Sequence, residues 1–211
     1  MPREQIEWIH YRSGEGDKYV LVVGDSILWA SHPQMESILS ETPYTMTSIT
    51  TAHGVNEEQL VRSVTMLAYL NNTGYEAVYF NNGLHTRGQS PEEYAENYEK
   101  AVLALMKAIP AKKWILGLST PISNVQTAQW ENTAPISNQE IESLKERNEL
   151  VLKYNEKVRG IAKKLGLPYY DAYAIVEGRD DLKTDAYHYN PEGCQIIAKG
   201  VLGCVLDELK K

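Results

Sequence analysis

Lys18-Tyr-Val-Leu-Val-Val-Gly-Asp-Ser-Ile27 is the stretch whose reading decides the fold. Tyr19 to Val23 is a short apolar, β-branched run with no polar alternation, the pattern of a strand buried on both faces of a parallel sheet. It stops at Gly24-Asp25-Ser26, and Ile27, Leu28 and Trp29 lead on toward a helix. A serine at the carboxyl end of such a strand lies on the edge where open α/β sheets place their ligand sites. A helix starting there also favours negative charge beside it. Gly, Asp and Ser are equally common turn residues, so these three by themselves read just as well as an ordinary turn.

Outward from this stretch, strand and helix patterns alternate. Before it, residues 1–17 hold Trp8, His10 and Tyr11 and end in the turn Ser13-Gly-Glu-Gly-Asp17, an N-terminal arm that packs on the domain. After it, residues 31–40 have helical spacing and residues 44–51 read as a strand running into His53-Gly54. Asn56 and Gln59 resemble a capping box, opening a helix with Leu60, Val64, Leu67 and Leu70 on one stripe. Residues 77–80 form a short strand that ends in Asn81-Asn-Gly-Leu-His85. Ser90-Pro-Glu-Glu93 combines cap, proline and glutamate at a helix start. Residues 114–118 are the next strand, and residues 123–137, with Trp130, form a long polar surface loop of the kind that is often functional. A long helix runs from Asn138 to Gly166, a last strand covers residues 168–170, and Asn190-Pro191 opens the final helix.

Five alternations with no repeat or linker predict one α/β domain over residues 1–211. The expected architecture is a three-layer α/β/α sandwich with a five-stranded, mostly parallel sheet. Crossovers in such a sheet bring the loops after every strand to one edge, where Ser26, Gly54, Asn81 and His188 would converge.

The formal charge of −7 argues against a nucleic-acid partner, since phosphate binding needs a basic surface. No basic run suits an anionic membrane, no run is long enough to span one, and Met1-Pro-Arg-Glu-Gln-Ile-Glu-Trp8 has no apolar signal core. The expectation is a cytoplasmic protein. Its two cysteines, Cys194 and Cys204, lie on one predicted helix about 15 Å apart, too far for a disulfide within the chain.

A serine nucleophile needs a base within hydrogen-bond reach and a third group to orient that base. Of the five histidines, His188 alone follows an aspartate, Asp185, by three residues and precedes a capped helix. In a turn, that carboxylate can reach one imidazole nitrogen and leave the other facing Ser26. A loop histidine with a chance acidic neighbour is the competing reading. An oxyanion also needs donors. Gly54 has no side chain to shield its N–H, and Asn81 or Asn82 can offer an amide. His53, His85 and Asp25 have no metal-ligand spacing, so no metal site is expected.

Taken together, these residues resemble the SGNH, or GDSL-type, hydrolase superfamily. Gly24-Asp25-Ser26-Ile27 is similar to its nucleophile motif, Gly54 to its oxyanion glycine, and Asp185-Ala-Tyr-His188 to its Asp-x-x-His element. The usual Gly-x-Asn-Asp is replaced by Asn81-Asn-Gly-Leu-His85, which resembles a branch with Phe-Asn-x-Gly-Leu-His. Ser119-Thr-Pro-Ile122 is similar to a Thr-Thr-Pro element of that branch. The resemblance implies a flavodoxin-like sandwich and a serine esterase with Ser26, His188 and Asp185 as triad. It implies Ser26, Gly54 and Asn81 as the oxyanion hole, with Asn82 the rival to Asn81, and no cofactor. Asp25 is expected to brace the turn, and Asn82, His85 and Trp130 are candidates for the substrate pocket. The substrate class most readily implied is a small-molecule ester, particularly acetyl on a sugar. A lipase or thioesterase of the same fold, and a binding domain that kept the fold without catalysis, are the alternatives.

Overall fold

The computed structural model describes residues 8–86, 88–123 and 137–211. Trp130 and most of the loop that the sequence marks as functional therefore lie outside the described residues. Elements follow in the order β1 (Trp8–Ser13), β2 (Lys18–Gly24), α1 (Ser26–Ala30), α2 (His32–Leu39), β3 (Tyr44–Thr51), α3 (Glu58–Asn71) and β4 (Tyr75–Asn81). They continue as α4 (Pro91–Ala108), β5 (Ala111–Gly117), α5 (Asn138–Leu165), β6 (Tyr169–Tyr170) and α6 (Pro191–Leu209).

The sheet has six strands in the order β1-β3-β2-β4-β5-β6. All neighbours pair in parallel except β1, which runs antiparallel to β3 with Trp8 opposite Thr51 and Ser13 opposite Met46. The expected count of five strands is corrected here: part of the N-terminal arm is itself the sixth strand. Without it, β3 would be an edge with a row of unpaired N–H and C=O groups, and a short antiparallel strand satisfies them. With β1 set aside, the remaining order is the flavodoxin-like one, whose ligand crevice lies at the carboxyl ends of the strands.

Alternation along β2 divides the core. Val20 and Val22 join the layer of α1, α2 and α6, whereas Leu21 and Val23 join that of α3, α4 and α5. All four are at most 1% exposed, which is why the strand reads as continuously apolar. Gly24 is the last residue of β2, and a Cβ there would stand 2.2 Å from Leu28 Cδ1, so the glycine leaves room for the Leu28 side chain of α1 against the strand.

Two local expectations are revised. α3 is capped from Glu57 rather than Asn56, and the expected capping box does not form. Leu70, placed on the inward stripe by spacing, is 72% exposed, and Ala68 is buried on that face instead. The boxes at Ser90 with Glu93 and at Ser137 with Glu140 are both complete, and Gly166 closes α5 at φ 66°.

Candidate active site

Ser26 is the first residue of α1, and Asp25 is its N-cap, accepting from Ile27 N–H at 3.0 Å. Asp25 thus braces the turn. It is 2% exposed, and with Asn81 and Thr120 it borders a cavity of about 10 Å³ beneath the serine. At the first helical position the Ser26 N–H has no acceptor within its own helix.

The partner of Ser26 comes from a loop 162 residues away. His188 Nε2 lies 2.9 Å from Ser26 Oγ, and His188 Nδ1 lies 2.7 Å from Asp185 Oδ2. Asp185 Oδ1 also accepts from the backbone N–H groups of Tyr187 and His188, each at 2.7 Å, in an Asx-type turn. Burial pushes the Asp185 carboxyl up, but the His188 side chain and these two N–H donors outweigh it and hold it down to about 2. An ionised carboxylate only accepts, so His188 Nδ1 carries the proton and Nε2 presents its lone pair to the serine hydroxyl. The hydrogen bond to Asp185 raises the imidazole above its ordinary 6.5, against the opposing effect of burial.

The loop that carries this pair is a tight hairpin. Asn190 N–H donates to Leu182 O at 2.8 Å and Thr184 N–H to His188 O at 3.0 Å, on either side of a bridge between Lys183 and Tyr189. Asn190 then caps α6 through Gly193 N–H at 2.9 Å, which fixes where the hairpin leaves the helix. From the other side, Ser123 N–H donates to Ala186 O at 2.9 Å, and Arg147 of α5 bonds Tyr187 Oη and lies over its ring. Asn155, also on α5 and 1% exposed, bonds both N–H and C=O of Ser119, seating the loop that follows β5.

The expected oxyanion donors are placed unequally. Gly54 N–H is not open: it donates to Glu57 Oε1 at 2.8 Å, while Glu57 Oε2 holds His53 Nδ1 at 2.5 Å. Asn81 stands opposite Gly117 in the β4–β5 register, and its amide donates to Gly117 O at 2.9 Å inside the sheet. Asn82 turns the other way, donating to His53 O at 2.8 Å, beside Gly54. Tyr94 Oη donates to Asn82 O at 2.6 Å, and Thr86 Oγ1 donates to Asn82 Oδ1 at 3.3 Å, so this residue is held from three sides. His85 is partly buried in the turn just beyond it.

Sequence reasoning missed Glu57, Arg147 and Lys183. The i,i+4 spacing of His53 and Glu57 was a usable signal for the first. Nothing local marked the other two, because Arg147 meets Tyr187 and Lys183 meets Pro121 across 40 and 62 residues. Among the described residues no cluster of three or more His, Cys, Asp or Glu is placed to hold a metal ion. No helix among them is long and apolar enough to cross a membrane.

A family model described as GDSL-like Lipase/Acylhydrolase matches residues 69–201. Among solved structures, the chain is similar to a carbohydrate acetylesterase from Sinorhizobium meliloti, with 14% identity and a TM-score of 0.65 over 91% of this chain and 100% of that one. It is similar to the M. smegmatis aryl esterase at 11% identity and a TM-score of 0.66, covering 91% and 99%. A member of the lipolytic protein G-D-S-L family from Veillonella parvula matches at 14% identity and a TM-score of 0.64, covering 88% and 97%. At these identities the three structures speak for the fold. No match was found among the curated proteins.

Proposed function

This chain belongs to the GDSL-like lipase/acylhydrolase family and is a hydrolase, and we propose that it is a serine esterase acting through Ser26, His188 and Asp185. The observation that carries the reading is the continuous relay from Ser26 Oγ through both imidazole nitrogens to Asp185, at 2.9 and 2.7 Å. Geometry of this kind is what nucleophile, base and orienting group require.

In this reading Ser26 Oγ attacks the acyl carbonyl carbon while its proton passes to His188 Nε2. The tetrahedral intermediate collapses, the C–O bond to the alcohol breaks, and the imidazolium returns the proton to the departing oxygen. Water then attacks the acyl-enzyme, His188 takes one of its protons, and the acid leaves as Ser26 Oγ regains a proton. Asp185 holds the tautomer and stabilises the imidazolium throughout.

The Ser26 N–H and the Asn82 amide are our choice of oxyanion donors, with Gly54 N–H joining them once Glu57 releases it. Asn82 is preferred over Asn81 because its amide lies beside Gly54, donating to His53 O, whereas the Asn81 amide is turned to Gly117 O within the sheet. For the substrate we propose a small acyl ester, acetyl on a carbohydrate in particular. The acetylesterase likeness lends this weight at the level of fold.

The test is covalent labelling with a fluorophosphonate, beside turnover of a panel of p-nitrophenyl esters and acetylated sugars. The wild-type chain should label at Ser26. Ser26→Ala should neither label nor turn over, a loss of roughly four orders of magnitude or more. Retained turnover in Ser26→Ala would remove the assignment.

A further inference from the structure

We propose that Lys183 is a positioning residue for the Asp185–His188 pair, its ammonium group clamping the hairpin that carries both onto the loop after β5. The proposal rests on the reading of that pair given above.

Lysine is rarely buried, yet Lys183 is 4% exposed. Its Nζ donates to Pro121 O at 2.7 Å and to Tyr187 O at 3.2 Å, and it lies 3.8 Å from the centre of the Tyr189 ring. One acceptor is on the loop after β5. The other is on the hairpin itself, between Asp185 and His188. Tyr187, which lies between Asp185 and His188 in the hairpin, is thus tied through the Lys183 side chain to the loop after β5. The backbone of Lys183 is part of the same hairpin through its bridge to Tyr189, so backbone and side chain constrain one turn together.

The charge has a second consequence. Lys183 is faced by Asp185 and His188 from its own hairpin and by Asp180 from the turn before it, while Lys145 and Glu177 line the cavity of about 300 Å³ that it borders. Burial presses its ammonium down to about 7, with Asp185 and Asp180 pulling the other way. A positive charge beside His188 lowers the imidazole, so the clamp works against the rise that Asp185 produces. It offsets part of that rise while fixing the direction of the base.

The experiment compares wild type with Lys183→Met, Lys183→Gln and Lys183→Arg in the full chain, measuring kcat, KM and the acid limb of the kcat/KM profile. In Lys183→Met, kcat should fall about 10- to 100-fold from misplacement of the base, with KM changing little. The midpoint of the acid limb should move up, because His188 has lost a positive neighbour. Lys183→Arg keeps donors and charge, so it should recover most of kcat. If Lys183→Met does not fold, Lys183→Gln takes its place and should also raise the midpoint. A folded neutral variant with wild-type kcat and midpoint overturns the proposal. Ser26→Ala run alongside separates the two levels. Activity surviving there overturns the whole site, whereas a dead Ser26→Ala with unmoved midpoints overturns Lys183 alone.

Discussion

Gly54 N–H donates to Glu57 Oε1 across 2.8 Å, so the amide expected to meet an oxyanion is already bonded to a carboxylate three residues on. The same carboxylate holds His53, and its backbone N–H returns to Gly54 O at 3.0 Å. The turn between β3 and α3 is thereby closed on itself.

Glu57→Ala should separate the two roles of this contact. Losing the side-chain acceptor at the start of α3 should lower stability by about 1 kcal/mol, read as a shift in the denaturant midpoint. Turnover at saturating substrate should hold or rise, since the oxyanion no longer competes with a carboxylate for the N–H. A tenfold fall in kcat would mean instead that Glu57 keeps Gly54 in its productive conformation.

The two asparagines should part in opposite ways. Asn82→Ala should lower kcat roughly a hundredfold, the usual loss on removing one oxyanion donor. Asn81→Ala leaves Gly117 O without its donor in the sheet and should cost about 1–3 kcal/mol of stability with a smaller effect on kcat. Equal denaturation midpoints for both variants, with kcat lost in Asn81→Ala, would return the oxyanion role to Asn81.

The activity profile should report His188. Only neutral imidazole can accept the serine proton, so kcat/KM should rise from acid pH through one ionisation above 6.5, the direction in which Asp185 moves it. In Asp185→Asn that midpoint should fall and the plateau should drop with it, because the wrong tautomer can then face Ser26. A profile unchanged in both respects would take Asp185 out of the triad.

Stability should carry the same pair with a definite sign. The Asp185 carboxyl is depressed from 3.8 to about 2 in the fold, so its contribution is present above 3.8 and lost as pH falls toward about 2. Partial exposure discounts it, leaving at most about 2 kcal/mol. From the imidazole side, the raised His188 contributes below 6.5 and loses that contribution as pH rises through its folded value. The stability difference between wild type and Asp185→Asn should therefore be widest between these limits and narrow on either side. Urea midpoints across the pH range would show it, and a flat difference would mean that the pair adds nothing to folding.

Periodicity and turn chemistry were enough to place the strand that ends at Ser26, most of the helices and the loop edge where Ser26 and His188 meet. They act over a few residues: an apolar run of five makes a doubly buried strand, and Ser90 with Glu93 makes a helix start, wherever the chain goes next. Ser26, Asp185 and His188 were legible for the same reason, since each sits in a short motif whose local geometry is self-contained. The tertiary structure alone decided the rest. Trp8–Ser13 became a strand because the open edge of β3 was there to pair with, a demand made by a neighbour 33 to 43 residues downstream in register. Leu70 lies outside the core because α3 presents Ala68 to α4 and the sheet instead. Asn81 and Asn82 are adjacent in sequence and chemically identical, and only their places at the end of β4 and just beyond it send one amide to Gly117 and the other to His53. Lys183 reads as one more exposed lysine in a polar loop. Its burial depends on Pro121 and Tyr187 offering two carbonyls in the same place, and that meeting exists only once β5 and the hairpin before α6 are packed side by side.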